Sequence, residues 1–321
     1  MDKQAFVTCV TNDTYALGAL VLAQSLRNVQ TTKKLAVIIT PHVSEKIRGL
    51  LGNVYDLVQE VDVLDSKDEA NLAILTRPDL GVTFTKFHCW RLTQFQKCVF
   101  LDADILVIKN CDELFEKEEL SAVPDCGWPD CFNSGVFVFT PNHQTYKEII
   151  QQALGKGSFD GGDQGVLNAY FSNWRTADIS KHLSFIYNMN ANVAYTYQPA
   201  YNQFGKDVKI VHFLGPIKPW MEFYNSETGR VQPNSPHSQE HLQMWWDVFM
   251  KHVQPNLSEE CTGIAGELSK LQLGVSGSGL TESSESRRYA WERGQVDYMG
   301  KDAFSNIEKK LQESIDKEPK K

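Results

Sequence analysis

The sequence predicts an α/β fold. A single domain is expected, with a mostly parallel mixed sheet and flanking helices, then a flexible linker and a C-terminal helix. Short apolar runs with little polar alternation, such as KLAVIIT, alternate with segments of helical period through the first half, as strands covered on both faces do. The 321 residues are 42% hydrophobic and 22% charged, enough to bury a real core. After Pro255 the composition shifts to Ser, Gly and Glu and loses its aromatics. The boundaries drawn are 1–254 for the domain, 255–288 for the linker and 289–321 for a terminal helix.

AFVTCV (Ala5–Val10) reads as the first strand. A helix follows Asn12 and Asp13, with Leu17, Leu20, Val21 and Leu26 near one face. KLAVIIT (Lys34–Thr40) is a strand stopped by Pro41, and SEKIRGLLGNV a helix with Ile47, Leu50 and Leu51 inward. DLVQEVDV is the third strand, Phe84–Phe95 a helix, and KCVFLDADILVI (Lys97–Ile108) the next strand. CFNSGVFVFT and VKIVHFLG are further strands, and HQTYKEIIQQAL and GGDQGVLNAYF further helices. Leu242, Trp245, Trp246, Phe249 and Val253 recur at i, i+3, i+4, i+7 and i+11, a helix packed on the core. In the tail, Phe304, Ile307, Leu311 and Ile315 share one stripe of a helix within Tyr289–Ile315, whose apolar face must dock elsewhere.

The formal net charge of −8 argues against a nucleic-acid or anionic-membrane binder. No basic region precedes an apolar run at the N-terminus, so a cytoplasmic chain is expected. Seven scattered cysteines, odd in number and without a C-x-x-C pair, read as free thiols rather than a disulfide framework or a zinc site.

Within KCVFLDADILVI two carboxylates interrupt an apolar run. Burying an ionised carboxylate without a partner costs several kcal/mol. On an extended chain Asp102 and Asp104 point to the same side, and at the carboxyl end of a parallel strand both would face the ligand crevice. That arrangement suits Mn²⁺ or Mg²⁺ with phosphate oxygens, although a bare D-x-D equally fits a capped turn. His212 ends an apolar strand and offers an imidazole nitrogen. Gly215 allows close backbone approach and Lys218 supplies a cation, so beside a metal this segment reads as a diphosphate clamp, and without one as a hydrogen-bonded histidine followed by a surface turn with a packed Trp.

FLDADILV, CFNSGVFVF, FDGGDQGVLN, HFLGPIKPW and FVTCVTNDTYALGALVL together resemble the retaining, manganese-dependent glycosyltransferases that use UDP-sugars. RPDLGVTFTKFHCW, FIYN, AYTYQPAY and WERGQVDYMGKDAF resemble the branch that glucosylates itself to prime glycogen synthesis. The resemblance implies a Rossmann-like nucleotide-sugar-binding domain and Mn²⁺ on Asp102, Asp104 and His212, with Ala103 between the acids at the ribose and diphosphate. It implies Thr11, Asn12, Tyr15 and Arg77 at the nucleotide, and Lys86, Gly215 and Lys218 at the phosphates. Asn133, Ser134, Asp160, Asp163 and Gln164 are implied at glucose, with Asp125 and Asn188 as weaker candidates. Asp163 would face the anomeric carbon, and Tyr195 matches the acceptor, with Tyr197 a second hydroxyl two residues on. It also implies UDP-glucose as donor, a short α-1,4-glucan as product, a homodimer, and glycogen synthase bound through Tyr289–Ile315. Each residue also has a bland reading: Asp160 and Asp163 as the cap and first turn of a helix, and Lys86 as a solvated helix residue.

Overall fold

The structure, a computed structural model, describes residues 3–68, 78–192, 197–258, 261 and 263–271. The chain divides into two units, 1–274 and 275–321. The tail helix within Tyr289–Ile315 lies outside the described residues, as do Arg77 and Tyr195.

The apolar runs form strands β1 (Gln4–Val10), β2 (Lys34–Ile39), β3 (Leu57–Glu60), β4 (Lys97–Leu101), β5 (Ile105–Val107), β6 (Ser121–Pro124), β7 (Phe132–Phe139), β8 (Met189–Asn190) and β9 (Ile210–His212). Six of them make the main sheet, in the order β3-β2-β1-β4-β7-β6. The first four pair in parallel, while β7 runs antiparallel to both β4 and β6. Strand alternation splits the core between the two faces. Val136 and Val138 of β7 face an aliphatic cluster with α1 (Asp13–Asn28). Phe137 and Phe139 face an aromatic one, where Phe137 stacks on Trp90 at 5.4 Å and on Phe100 at 5.1 Å.

Helices cover both faces. α1 starts where the Asn12 side chain accepts the Tyr15 N–H, and α2 (Glu45–Val54) where Ser44 accepts from Ile47. α3 (His143–Lys156) and α4 (Asp163–Tyr170) contribute Ile149, Val166 and Leu167 to the aromatic face. α5 (Gln198–Phe204) follows Tyr197. α6 (Gln239–Val248) continues into a wider turn, Phe249–Val253, and its expected stripe is buried throughout.

Three expectations change. The helix expected over Phe84–Phe95 is a run of three-residue turns from Pro78 to Arg91. At three residues per turn, positions i, i+3 and i+6 eclipse. Phe84, Phe87 and Trp90 accordingly share the aromatic cluster, while Thr83 and Lys86 share the cavity described below. The strand expected over Lys97–Ile108 is broken: β4 ends at Leu101, Asp102–Asp104 form a turn, and β5 enters a second sheet ordered β5-β9-β8. Two acids in a row of buried ladder positions are too costly to continue the strand. Part of the linker expected over 255–288 is structured instead. Gly263–Ser269 is a helix, α7, and Cys261, Ala265 and Leu268 join the aliphatic core.

Candidate active site

Three local devices bring the site together. The Asp102–Asp104 turn lies beyond the C-terminal end of β4, where open parallel sheets bind ligands. The Asp102 N–H donates to Gly135 O at 2.9 Å, tying the turn to β7. β5 pairs antiparallel with β9, and its register sets Ile105 opposite His212. The Phe213 N–H donates to Asp104 O at 3.0 Å, which closes the second side. Asp102 and Asp104 therefore converge through a turn held from both strands, not through strand alternation. Gly135 makes this fit: a Cβ there would overlap the His212 ring.

Ligand atoms of Asp102, Asp104 and His212 all lie within 4.8 Å of one another. His212 Nε2 is 3.2 Å from Asp104 Oδ1 and 3.9 Å from Asp102 Oδ2. His212 is 2% exposed, and its Nδ1 lies 2.9 Å from Asn188 Oδ1. Two carboxylates and one imidazole fit a divalent cation that accepts oxygen and nitrogen ligands, such as Mn²⁺.

Two buried ammonium groups flank the acids. Lys86 lies 2.9 Å from Asp102 Oδ1 and 2.8 Å from Asp163 Oδ2, and donates to Ser134 O at 3.2 Å. Burial alone would lower its pKa, but Asp102 and Asp163 together hold it above the ordinary lysine value. Lys218 pairs with Asp104 Oδ2 and donates to Phe213 O at 3.2 Å. Burial pushes Asp104 up, and the nearby charge of Lys218 and the His212 ring outweigh it, so its carboxyl sits well below the usual range. Asp102 is raised instead, by burial and by Asp104 and Asp163, against the pull of Lys86. The Cys9 thiol, also lining the cavity, is pushed up to about 12 by burial.

Beyond Lys86 the cavity is built from hydrogen bonds. Asp125 Oδ2 accepts from Asn133 Nδ2 at 3.0 Å and from Gln164 Nε2 at 3.2 Å, while Gln164 Oε1 accepts the Ser134 N–H at 3.1 Å. Asp160 Oδ1 accepts from Ser158 Oγ at 2.7 Å, and from the N–H groups of Gly162 at 2.9 Å and Gly165 at 3.1 Å. The N-cap of α4 is Gly162, so Asp160 is not the cap of its bland reading but accepts a first-turn N–H from outside the helix, and burial raises its pKa. Asp163 opens α4, its N–H held by Thr83 Oγ1 at 3.1 Å.

One cavity of about 370 Å³ gathers these groups. From the sequence-derived set it is lined by Thr11, Asn12, Tyr15, Lys86, Asp102, Ala103, Asp104, Asn133, Ser134, Asp160, Asp163, Gln164, His212 and Lys218, while Asp125 and Asn188 are not among its lining residues. Gly215 follows the lining residue Leu214 with φ +115°, a conformation that suits glycine. Arg77 and Tyr195 lie outside the described residues. Tyr197 is 74% exposed, whereas the Tyr201 hydroxyl is engaged with His241 Nε2 at 3.1 Å. Thr83 was not anticipated as a lining residue. Thr83 could have been found from its three-residue spacing to Lys86. A larger open groove of about 480 Å³ along α6, lined by Arg230, Gln239 and Asp247 among others, holds no buried charged group. Among the described residues no helix is long and apolar enough to cross a membrane, and all seven cysteines are unpaired.

The model of glycosyl transferase family 8 matches residues 6–223. Glycogenin-1 of Mus musculus is 50% identical over 97% of this chain and 98% of its own length. Glycogenin-1 of Oryctolagus cuniculus is 51% identical over the same shares, and glycogenin-2 of Homo sapiens is 56% identical over 78% of this chain and 51% of its own. Among solved structures, an active-site mutant of LgtC superposes with a TM-score of 0.55 at 18% identity, covering 78% of this chain and 96% of that one. The apo form of the glycosyltransferase GlyE of Streptococcus pneumoniae gives 0.51 at 19%, covering 76% and 59%. These likenesses carry the fold, and the near-full-length identities carry the family. The chain belongs to glycosyl transferase family 8, in its glycogenin branch.

Proposed function

We propose how the cavity serves the reaction of this hexosyltransferase, which glucosylates itself from UDP-glucose and extends a short α-1,4-glucan that primes glycogen synthesis. The observation that carries this reading is the convergence of Asp102, Asp104 and His212 beside Lys86 and Asp163, in a chain half identical to glycogenins over 97% of its length. Membership of the glycogenin branch supports a UDP-sugar donor and a glucan acceptor, and the Asp102, Asp104 and His212 cluster supports a divalent metal.

Asp102, Asp104 and His212 would hold the cation, for which Mn²⁺ is the first candidate and Mg²⁺ the second. When bound, it supplies a Lewis acid for the charge that builds on the leaving diphosphate. Thr11, Asn12, Tyr15 and Arg77 hold the nucleotide, with Ala103 at the ribose. Tyr15 is braced edge-on against Trp220 at 5.4 Å. Lys218 and Lys86 are fixed in place by their carboxylate partners before substrate arrives, so they oppose phosphate charge without reorganising. Gly215 lets the backbone approach the same phosphates.

Asn133, Ser134, Asp160 and Gln164 orient the glucose hydroxyls. Asp163 faces the anomeric carbon and stabilises its cation-like state, as carboxylates do in glycoside chemistry. The acceptor is Tyr195, with the exposed Tyr197 as the competitor. A tyrosine of ordinary pKa, about 10, must lose its proton as the new bond forms, and the departing phosphate oxygen can take it. Residues 1–254 carry the catalysis. One tyrosine cannot reach its own cavity at every stage of chain growth, so the working form is a homodimer in the cytoplasm. Tyr289–Ile315 binds glycogen synthase, and the preceding segment gives it reach.

Intact-mass spectrometry after incubation with UDP-glucose and Mn²⁺ tests this. Mass steps of one hexose on the chain are expected, and Tyr195→Phe should abolish them while Tyr197→Phe leaves them. A Tyr195→Phe chain that still gains hexose at the parent rate removes the acceptor assignment. Soluble glycosylated product without mass gain removes self-glucosylation.

A further inference from the structure

A chain of side chains leads from the hydrogen-bonded end of the cavity to the imidazole of the cation site. Asn133 Nδ2 meets Asp125 Oδ2 at 3.0 Å, and Asn188 Nδ2 meets Asn133 Oδ1 at 2.8 Å. Asn188 Oδ1 meets His212 Nδ1 at 2.9 Å. Asn133, Asn188 and His212 are each less than a tenth exposed, so water does not compete for these contacts.

The polarity of this chain does not depend on how any amide is turned, because both contacts at its start have fixed sense. The carboxylate of Asp125 accepts, so the group of Asn133 facing it is the amide nitrogen. The backbone N–H of Gly135 donates, and it meets Asn133 Oδ1 at 3.0 Å. The two contacts agree on one orientation of Asn133. Its Oδ1 then requires a donor from Asn188, which leaves Asn188 Oδ1 toward the ring. His212 Nδ1 must therefore carry the proton. That leaves Nε2, the nitrogen that faces Asp104 and Asp102, to offer its lone pair when a cation is bound.

We propose that Asn133 and Asn188 are positioning residues that transmit the fixed polarity of Asp125 and Gly135 to His212, setting its tautomer and ring orientation for cation binding. This rests on reading Asp102, Asp104 and His212 as the cation site. Asn188 is moored independently of the ligand: it follows a tight turn, its N–H bonded to Phe185 O at 3.1 Å, and it precedes β8, which pairs with β9 at Asn190 and His212. With Oδ1 of Asn133 accepting twice and one Nδ2 hydrogen on Asp125, a single Nδ2 hydrogen is left for a sugar hydroxyl. Asn133 thereby joins the sugar end of the cavity to the cation end.

The test uses the full chain without UDP-glucose, so no turnover enters. Mn²⁺ alone is titrated and followed by electron paramagnetic resonance. Asn188→Leu should weaken Mn²⁺ binding about 10–100-fold, the usual cost of removing an outer partner of a ligating histidine. Asn188→Asp keeps an acceptor on Nδ1 in either protonation state and should bind Mn²⁺ near the parent level. Nitrogen-15 spectra of the histidine rings in the Mg²⁺-loaded parent, assigned with His212→Gln, should show the proton of His212 on Nδ1. Parent-like Mn²⁺ affinity in Asn188→Leu overturns the relay while leaving the cation site intact, and a proton on Nε2 in the loaded parent overturns the relay and takes His212 out of the ligand set. A parent chain that binds no Mn²⁺ overturns both. Should Asn188→Leu fail to fold, the parent spectrum still decides.

Discussion

The two ends of the cavity are built from different forces. At the Asp102–Asp104 end, buried full charges face each other: Lys218 and Asp104 are both less than a tenth exposed, beside the equally buried His212 ring. At the Asp125–Gln164 end, neutral amides and backbone N–H groups are matched donor to acceptor around the Asp125 carboxylate, with no buried ammonium among them. Buried charge is unforgiving, because removing one partner strands the other, whereas a neutral hydrogen bond nets little when lost. The charged end should therefore fail steeply under substitution and the neutral end gradually. Lys86, bonded to Asp102 on one side and to Asp163 and Ser134 on the other, belongs to both.

The largest effect is expected from Asp104→Ala. It strands the buried ammonium of Lys218 and should cost about 3–5 kcal/mol of stability, read from urea unfolding, together with loss of Mn²⁺ binding. A parent-like midpoint would show that Lys218 finds another partner and that the charged end is softer than argued. Lys86→Met comes next. With the fold retained, the hexose mass ladder should slow about 10²–10³-fold, the usual effect of deleting one preorganised charge-stabilising donor. A smaller loss would place Lys86 with the neutral end.

Gly135→Ala addresses the seam between the ends. Its new methyl would overlap the His212 ring, and overpacking of this kind costs about 1–3 kcal/mol. A weakened Mn²⁺ titration with unchanged UDP affinity would locate that strain on the ring. The smallest effect is expected from Gln164→Ala, which removes bonds to Asp125 and Ser134. Asp125 Oδ2 keeps the Asn133 amide as a donor, so the net loss is about 0.5–1.5 kcal/mol and KM for UDP-glucose should rise roughly 2- to 12-fold. A hundredfold loss in kcat would break the comparison outright.

The sequence made the chemistry of the charged end readable and its geometry less so. Asp102, Asp104, His212 and Lys218 stand out because acids and bases interrupt apolar runs. The turn between β4 and β5 carries no Gly or Pro, so the run read as one strand. The three-residue turns through Lys86 were hidden because Phe84, Phe87 and Trp90 also fit a helical stripe over so short a span. Asn188 drew little notice, since an amide that works by orienting another side chain leaves no local pattern. Residues 257–271 were misjudged on composition. Cys261, Ala265 and Leu268 are spaced i, i+4 and i+7, and that period outweighed the Ser, Gly and Glu around it.

The pairing of Ile105 with His212 has a thermodynamic consequence. It joins segments more than a hundred residues apart, so His212 is remote from Asp102 and Asp104 in the unfolded chain and the three meet only when the strands are in register. A cation that binds the folded form alone pulls the folding equilibrium with it, by about 2.7 kcal/mol at a hundred times its Kd. The melting temperature should climb with Mn²⁺ concentration in the absence of any sugar nucleotide. Metal supply then bears on how much folded enzyme persists as well as on how fast it works.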